Sequence, residues 1–174
     1  MFKDFNISSF KKTKPPSDNS FDTNQEIKAL KKIPLRKEFV KKYDDIEAAF
    51  KKTADEQGIK DYDKNIAAKL IKESAPVILE LKKYHDRKRP YDLDKNLKAV
   101  KMKSMNTPSY PSGHSAQGIL IALKLKDKYG KGKAFMQTAK NISDSRNVAH
   151  AHYKSDSVNG NKLGKQLYKH IKKT

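Results

Sequence analysis

Cysteine is absent from this sequence of 174 residues, which excludes a disulfide framework, thiolate metal sites and a thiol nucleophile. Long apolar runs are missing too. The longest, residues 119–123, is far too short to cross a bilayer, so no transmembrane segment is expected. The N-terminal "MFKDFNISSFKKTKPPSDNS" lacks the apolar core of a secretory signal, which makes a cytoplasmic protein the expectation. Acidic residues are scarce: 20 Asp+Glu face 39 Lys+Arg, a formal charge of +19. Lysine supplies most of the excess and is spread along the chain, in doublets such as Lys31-Lys32, Lys51-Lys52 and Lys172-Lys173. That spread reads as a solvated surface whose field draws in anionic substrates, with nucleic acid a less favoured partner.

No stretch alternates with period two for long enough to be a strand, so the fold class is all-α. Residues 1–23 are polar, contain Pro15-Pro16 and show no period. They read as a flexible N-terminal arm before a single helical domain over 24–174. Leu35, Phe39, Tyr43, Ile46 and Phe50 recur at spacings of 4, 4, 3 and 4, which predicts one helix started by Pro34. Ile66, Leu70, Ser74, Ile78 and Leu81 predict a second, with a kink or restart at Pro76. A third opens at Ser112-Gly113 and stops at Gly130; Phe135, Ala139, Ile142, Arg146 and Ala149 mark a fourth. A fifth begins around residues 153–156 and carries Leu163, Leu167 and Ile171, with Gly160 and Gly164 placed for close packing. The sum is a compact bundle of about five or six helices, with residues 86–111 as its longest loop.

Three stretches could carry chemistry. In "YPSGHSA", Ser112 and Gly113 stand where a helix begins, and its unpaired N–H groups and dipole favour an anion. His114 would stand beside that anion. Taken alone, a serine cap with a surface histidine accounts for the stretch. In "KKYHDRKRPY", Lys82, Arg87, Lys88 and Arg89 end the second helix, where the dipole favours cations. Pro90 holds Arg89 extended, a posture that suits two oxygens of one phosphate. In "SRNVAHAHYKSD", His152 and Asp156 are four apart. On a helix the carboxylate can accept from one imidazole nitrogen and leave the other free to attack or accept a proton. His150 has no acid four positions on, since residue 154 is Lys, and Arg146 comes six residues before His152.

In order, Lys82 and Arg89-Pro90, then Pro111-Ser112-Gly113-His114, then Ser145-Arg146, His152 and Asp156 form a set. It closely resembles the three-part signature of the type 2 phosphatidic acid phosphatase superfamily, which also holds bacterial class A non-specific acid phosphatases and vanadium haloperoxidases. The wording "SYPSGHSA" and "HYKSD" looks most like the soluble acid phosphatases, and the resemblance covers roughly residues 60–171. It implies a helical bundle that hydrolyses phosphomonoesters or pyrophosphates, with no metal ion or other cofactor. By resemblance, His152 takes the phosphoryl group as a phosphohistidine, and Asp156 orients and polarises it. His114 protonates the leaving oxygen and then activates water. Lys82, Arg89 and Arg146, with Ser112 and the Gly113 N–H, hold the phosphate oxygens.

The implied substrate is an anionic phosphorylated small molecule or a lipid-like one, and a homo-oligomer is a family-level expectation. Vanadate is expected to bind as a phosphate mimic. The alternatives are a vanadate-dependent haloperoxidase, or a basic nucleic-acid or anionic-membrane module that keeps the motif. The two histidines need opposite states at the start, His152 neutral and His114 protonated. That predicts a bell-shaped pH profile at mildly acidic to neutral pH.

Overall fold

Every regular element among residues 1–173, which the computed structural model describes, is helical. In chain order these are α1 (Ser8–Lys12), α2 (Phe21–Lys31), α3 (Lys37–Asp44), α4 (Ile46–Glu56), α5 (Asn65–His85), α6 (Pro90–Leu93), a 3-10 turn (Lys103–Asn106), α7 (Gly113–Tyr129), α8 (Gly132–Val148) and α9 (Lys154–Lys173). The all-α expectation holds. The count of five or six helices falls short, for local reasons.

α7 is the axis. Leu120, Ile121, Ala122 and Leu125 on it are fully buried, against Phe135, Ala139 and Ile142 of α8, Leu163 and Leu167 of α9, and Leu81 of α5. Apolar residues around much of its circumference mark a helix enclosed by others. Ser112 caps its start, with Oγ accepting from Ser115 N at 3.3 Å, and Gly130 ends it at φ 68°. A Cβ added at Gly160 or Gly164 would run into the main-chain carbonyls of Ser112 and Ala116. α9 therefore lies directly on α7, as the glycine spacing leads one to expect.

Three expectations need correction. The single helix over residues 35–50 is two. Asp45 takes extended angles (φ −86°, ψ 103°) and its carboxylate accepts from Ala48 N at 2.9 Å, which closes α3 and caps α4. A short polar side chain that bonds the backbone competes with the helix, even where the apolar period runs through it. Pro34 precedes this pair without starting it.

Of the kink or restart expected at Pro76, the restart does not occur: α5 is continuous from Asn65 to His85, although Pro76 has no N–H for the Lys72 carbonyl four positions back.

The arm over residues 1–23 is packed. Phe2 is buried in the main core, with Phe5, Ile7 and Phe10 against it, and α2 starts inside the arm behind the Ser20 cap. Four apolar anchors outweigh a polar composition. Among the described residues, no helix is long and apolar enough to cross a membrane. The loop over 86–111 rests on a second apolar cluster built by Val40, Met105, Val148, Ala149 and Ala151.

Candidate active site

The turn between α8 and α9 presents His152, 5% exposed. Its Nδ1 stands 3.0 Å from Asp156 Oδ2 on the first turn of α9, and its Nε2 is 3.3 Å from Arg89 Nη1. A guanidinium only donates, so Nε2 is the acceptor and Nδ1 carries the proton toward Asp156. That tautomer leaves a lone pair on the Arg89 side, where both residues line a cavity of about 230 Å³.

Asp156 is wholly buried. It also accepts from Ser109 Oγ, from Tyr153 N at 3.1 Å and from Arg87 Nη1 at 2.8 Å. Burial alone would raise its pKa, but the bond to His152, the Arg87 charge and the Ser109 bond hold it below the usual carboxylate range. For His152, burial comes first and drives the pKa well down; Arg89 and Lys82 add to it against the Asp156 bond.

The same cavity is lined by Lys82, Gly113 and His114. Lys82 Nζ donates to the Pro108 carbonyl at 2.6 Å, and burial followed by Arg89 repulsion lowers its pKa to about 7. Arg89 is extended ahead of Pro90, as expected, and reaches main-chain carbonyls: Nε to Thr107 at 3.0 Å, Nη1 to Ala151 at 2.8 Å, Nη2 to Ser104 at 3.2 Å. A Cβ at Gly113 would press on Ile78 Cγ2 at 3.3 Å, so α5 and α7 meet here over bare backbone.

Two residues of the expected set are engaged elsewhere. The Ser112 hydroxyl faces into the fold, bonded by Ser115 N and by Ser115 Oγ at 3.0 Å, while the Ser112 N–H donates to the Asp156 carbonyl at 3.0 Å. Capping is what this geometry shows for Ser112. Arg146 donates from Nη1 to Asp44 Oδ1 at 2.9 Å and from Nε to Ser145 Oγ at 3.1 Å. Its Nη2 is buried with no partner among the described residues. No protein-family model matches this chain, and no curated protein matches it.

His114 departs from expectation. Its Nε2–H donates to the Asp44 carbonyl at 2.8 Å, with Asp44 Oδ1 at 3.6 Å. Burial, then the Arg146 charge, lowers its pKa to about 4 against the opposing pull of Asp44. In the free protein it is neutral at pH 7, because it is a buried ring set among cations.

Arg87, Ser109 and Asp44 belong to this site and escape sequence reasoning. Arg87 is fully enclosed, bonded to Ser155 Oγ at 2.7 Å and Glu26 Oε2 at 3.0 Å as well as Asp156, and its guanidinium lies 3.7 Å from the centre of the Tyr153 ring. Nothing in "KKYHDRKRPY" separates it from Lys88. Asp44 lies 70 positions from His114 and 102 from Arg146, outside every recognisable motif. His150, which has no acid four positions on, faces the Lys98 and Ile33 carbonyls, each at 2.7 Å, and acts as a strut between loops.

Proposed function

We propose that this chain is a phosphatase that hydrolyses phosphomonoesters or pyrophosphates through a phosphohistidine on His152, as its resemblance to the type 2 phosphatidic acid phosphatase superfamily implies. One observation carries the reading. Lys82, Arg89, Gly113, His114 and His152, from three distant segments, meet at one cavity, with His152 held in the tautomer that leaves Nε2 unprotonated.

Phosphoryl transfer asks mainly for positioning and charge balance. Lys82 and Arg89 line the cavity. Arg146 is not part of the lining, but its buried Nη2 lacks an acceptor, which a phosphate oxygen that reached it would supply. An unpaired buried donor costs about 1–3 kcal/mol, which binding would offset. The His152 Nε2 lone pair forms a bond to phosphorus as the bond to the leaving oxygen breaks. That oxygen takes a proton from His114 and departs as a hydroxyl group. Asp156 holds the Nδ1–H and balances the charge the ring gains. Water then attacks phosphorus while His114 takes its proton; the N–P bond breaks and inorganic phosphate is released. Since His114 begins neutral in the free protein, the dianionic substrate supplies the charge that raises its proton affinity.

The test is a turnover screen with chelator present, over nucleotides, sugar phosphates, isoprenoid diphosphates and soluble phosphatidate, with His152→Ala alongside. The expected result is hydrolysis of at least one substrate, lowered about a thousandfold or more in the variant. Alkaline quenching should trap an acid-labile phosphoryl adduct on the wild type only, and vanadate should inhibit. No turnover and no adduct with any substrate would sink the proposal.

A further inference from the structure

Folding gathers lysines that the sequence spreads out. α7 and α9 run side by side in one direction: Gly160 lies against Ser112, Gly164 against Ala116, and Tyr168 bonds Asp127 through its hydroxyl. Their C-terminal ends meet, and α8 begins at the same place. Residues 124–133 carry five lysines and residues 162–173 another five, against the single acid Asp127. All ten are exposed. Ten lysines less Asp127 leave +9 on 22 residues, nearly half of the +19 on 174. The segment before α5 reaches this end as well, since Lys128 Nζ is 3.6 Å from Asp63, but its Lys60 and Lys64 cancel Asp61 and Asp63. The catalytic cavity is at the opposite end, about 20 Å away along α7 from Asp127 back to His114.

The chemistry of this end is selective. Lys162, Lys165, Lys169 and Lys172 recur at 3, 4 and 3 on the exposed side of α9. Like charges so spaced destabilise a helix, and of these four Lys172 has a counter-charge, Asp127 Oδ2 at 3.6 Å. Of the large exposed apolar side chains, Phe21, Leu79, Tyr84 and Val158 lie outside these segments, and Met1 stands near α9 because the ring of its neighbour Phe2 is 6.1 Å from that of His170. A surface that inserts into a membrane needs an apolar side, and here one methionine borders ten lysines. Its two tyrosines are already engaged. The Tyr129 hydroxyl accepts from Asp63 N at 2.8 Å, Tyr168 holds Asp127, and Lys128 and Lys172 lie over their rings at 5.4 and 5.5 Å. Neither ring is free for an unstacked base, which single-strand binders require.

We infer that this end of the bundle docks the phosphate backbone of a nucleic-acid duplex, without reading its bases, and leaves the cavity at the other end open. The inference is independent of the proposed catalysis.

It is tested with the whole chain by fluorescence anisotropy on two duplexes of unrelated sequence, titrated over a range of salt. Equal affinities are expected, and log K should fall against log salt with a slope of about −4, close to −0.9 per neutralised phosphate. The triple variant Lys165→Glu, Lys169→Glu, Lys172→Glu should lose about 100-fold at about 100 mM salt and flatten the slope by about 3. A control triple, Lys28→Glu, Lys32→Glu, Lys37→Glu, makes the same charge change on α2, the residue that follows it and α3, and should lose less than about 5-fold. Circular dichroism confirms that both triples are folded. Equal losses in the two triples, a preference for one sequence, no binding at about 100 mM salt, or tighter binding to phosphatidylserine vesicles would each overturn it.

Discussion

Asp44 joins two tasks: its main-chain carbonyl takes the His114 Nε2–H and its carboxylate takes Arg146. Asp44→Asn keeps the first and takes the charge from the second, leaving a neutral oxygen as acceptor for Arg146. His114 loses a neighbour that raises its pKa, so the pKa drops below about 4. The alkaline limb of kcat/KM, where the general acid loses its proton, then moves to lower pH. Arg146, freed of its counter-charge, should bind phosphate severalfold tighter. A pH–rate series with phosphate inhibition at each pH measures both, and an unmoved limb would remove His114 from the acid role. In the wild type both histidines are pushed down, so kcat/KM should peak on the acid side of pH 6, lower than the motif alone suggests.

Arg87 matters through Asp156. Arg87→Met leaves a buried carboxylate without its cation, at a cost of about 3–5 kcal/mol. The depressed Asp156 pKa gives the wild type stability that is present above the unfolded carboxylate pKa and lost as pH falls through the folded one. The gap between wild type and variant should therefore narrow below about pH 4, as read from urea melts. His152 and Asp156 were legible because they stand four positions apart, although His152 lies in the turn before α9 and not on the helix. Arg87, Ser109 and Asp44 were not, because their roles come from contacts made across most of the chain.

Helix ends with local chemistry were legible as well. The Ser112 cap and the Gly130 stop bound α7 where the sequence suggests. The break at Asp45 was hidden under an apolar period that runs straight across it. Gly160 and Gly164 are the most exacting positions between elements. Gly164→Ala sets a methyl against the Ala116 carbonyl and should cost about 1–3 kcal/mol of stability. Gly160→Ala pushes on Ser112, whose N–H bonds the Asp156 carbonyl, and should lower activity as well as stability. Gly118→Ala is the contrast. Its nearest neighbour would be Ile142 Cγ2 at 3.5 Å, and the gain in helix propensity is up to about 1 kcal/mol. Thermal melts and turnover of the three variants, side by side, separate packing from positioning.

Over the whole molecule, the cavity concentrates positive charge that the fold alone leaves poorly balanced. Lys82 is lowered to about 7, and unfolded lysine binds its proton more tightly. Stability of the free protein should therefore rise with pH from about 7 toward 10, as it also should from about 4 to 6.5 through His114. Phosphate opposes this trend by favouring the protonated cluster. At 100 times its Kd it should add about 2.7 kcal/mol, or about 5–10 °C in Tm, with a larger gain at pH 6 than at pH 8.5. Scanning calorimetry in a phosphate-free buffer reads the difference. Arg89 grips the carbonyls of Ser104, Thr107 and Ala151, and Lys82 grips that of Pro108. All four bonds are to main chain, so they do not depend on which side chains occupy the loop. Within residues 95–103, the exposed Lys95, Asn96, Lys98, Lys101 and Lys103 are thus the positions where tolerance for a bulkier ester can evolve, or be grafted, while Leu97 and Met102 stay packed and His152 stays in register.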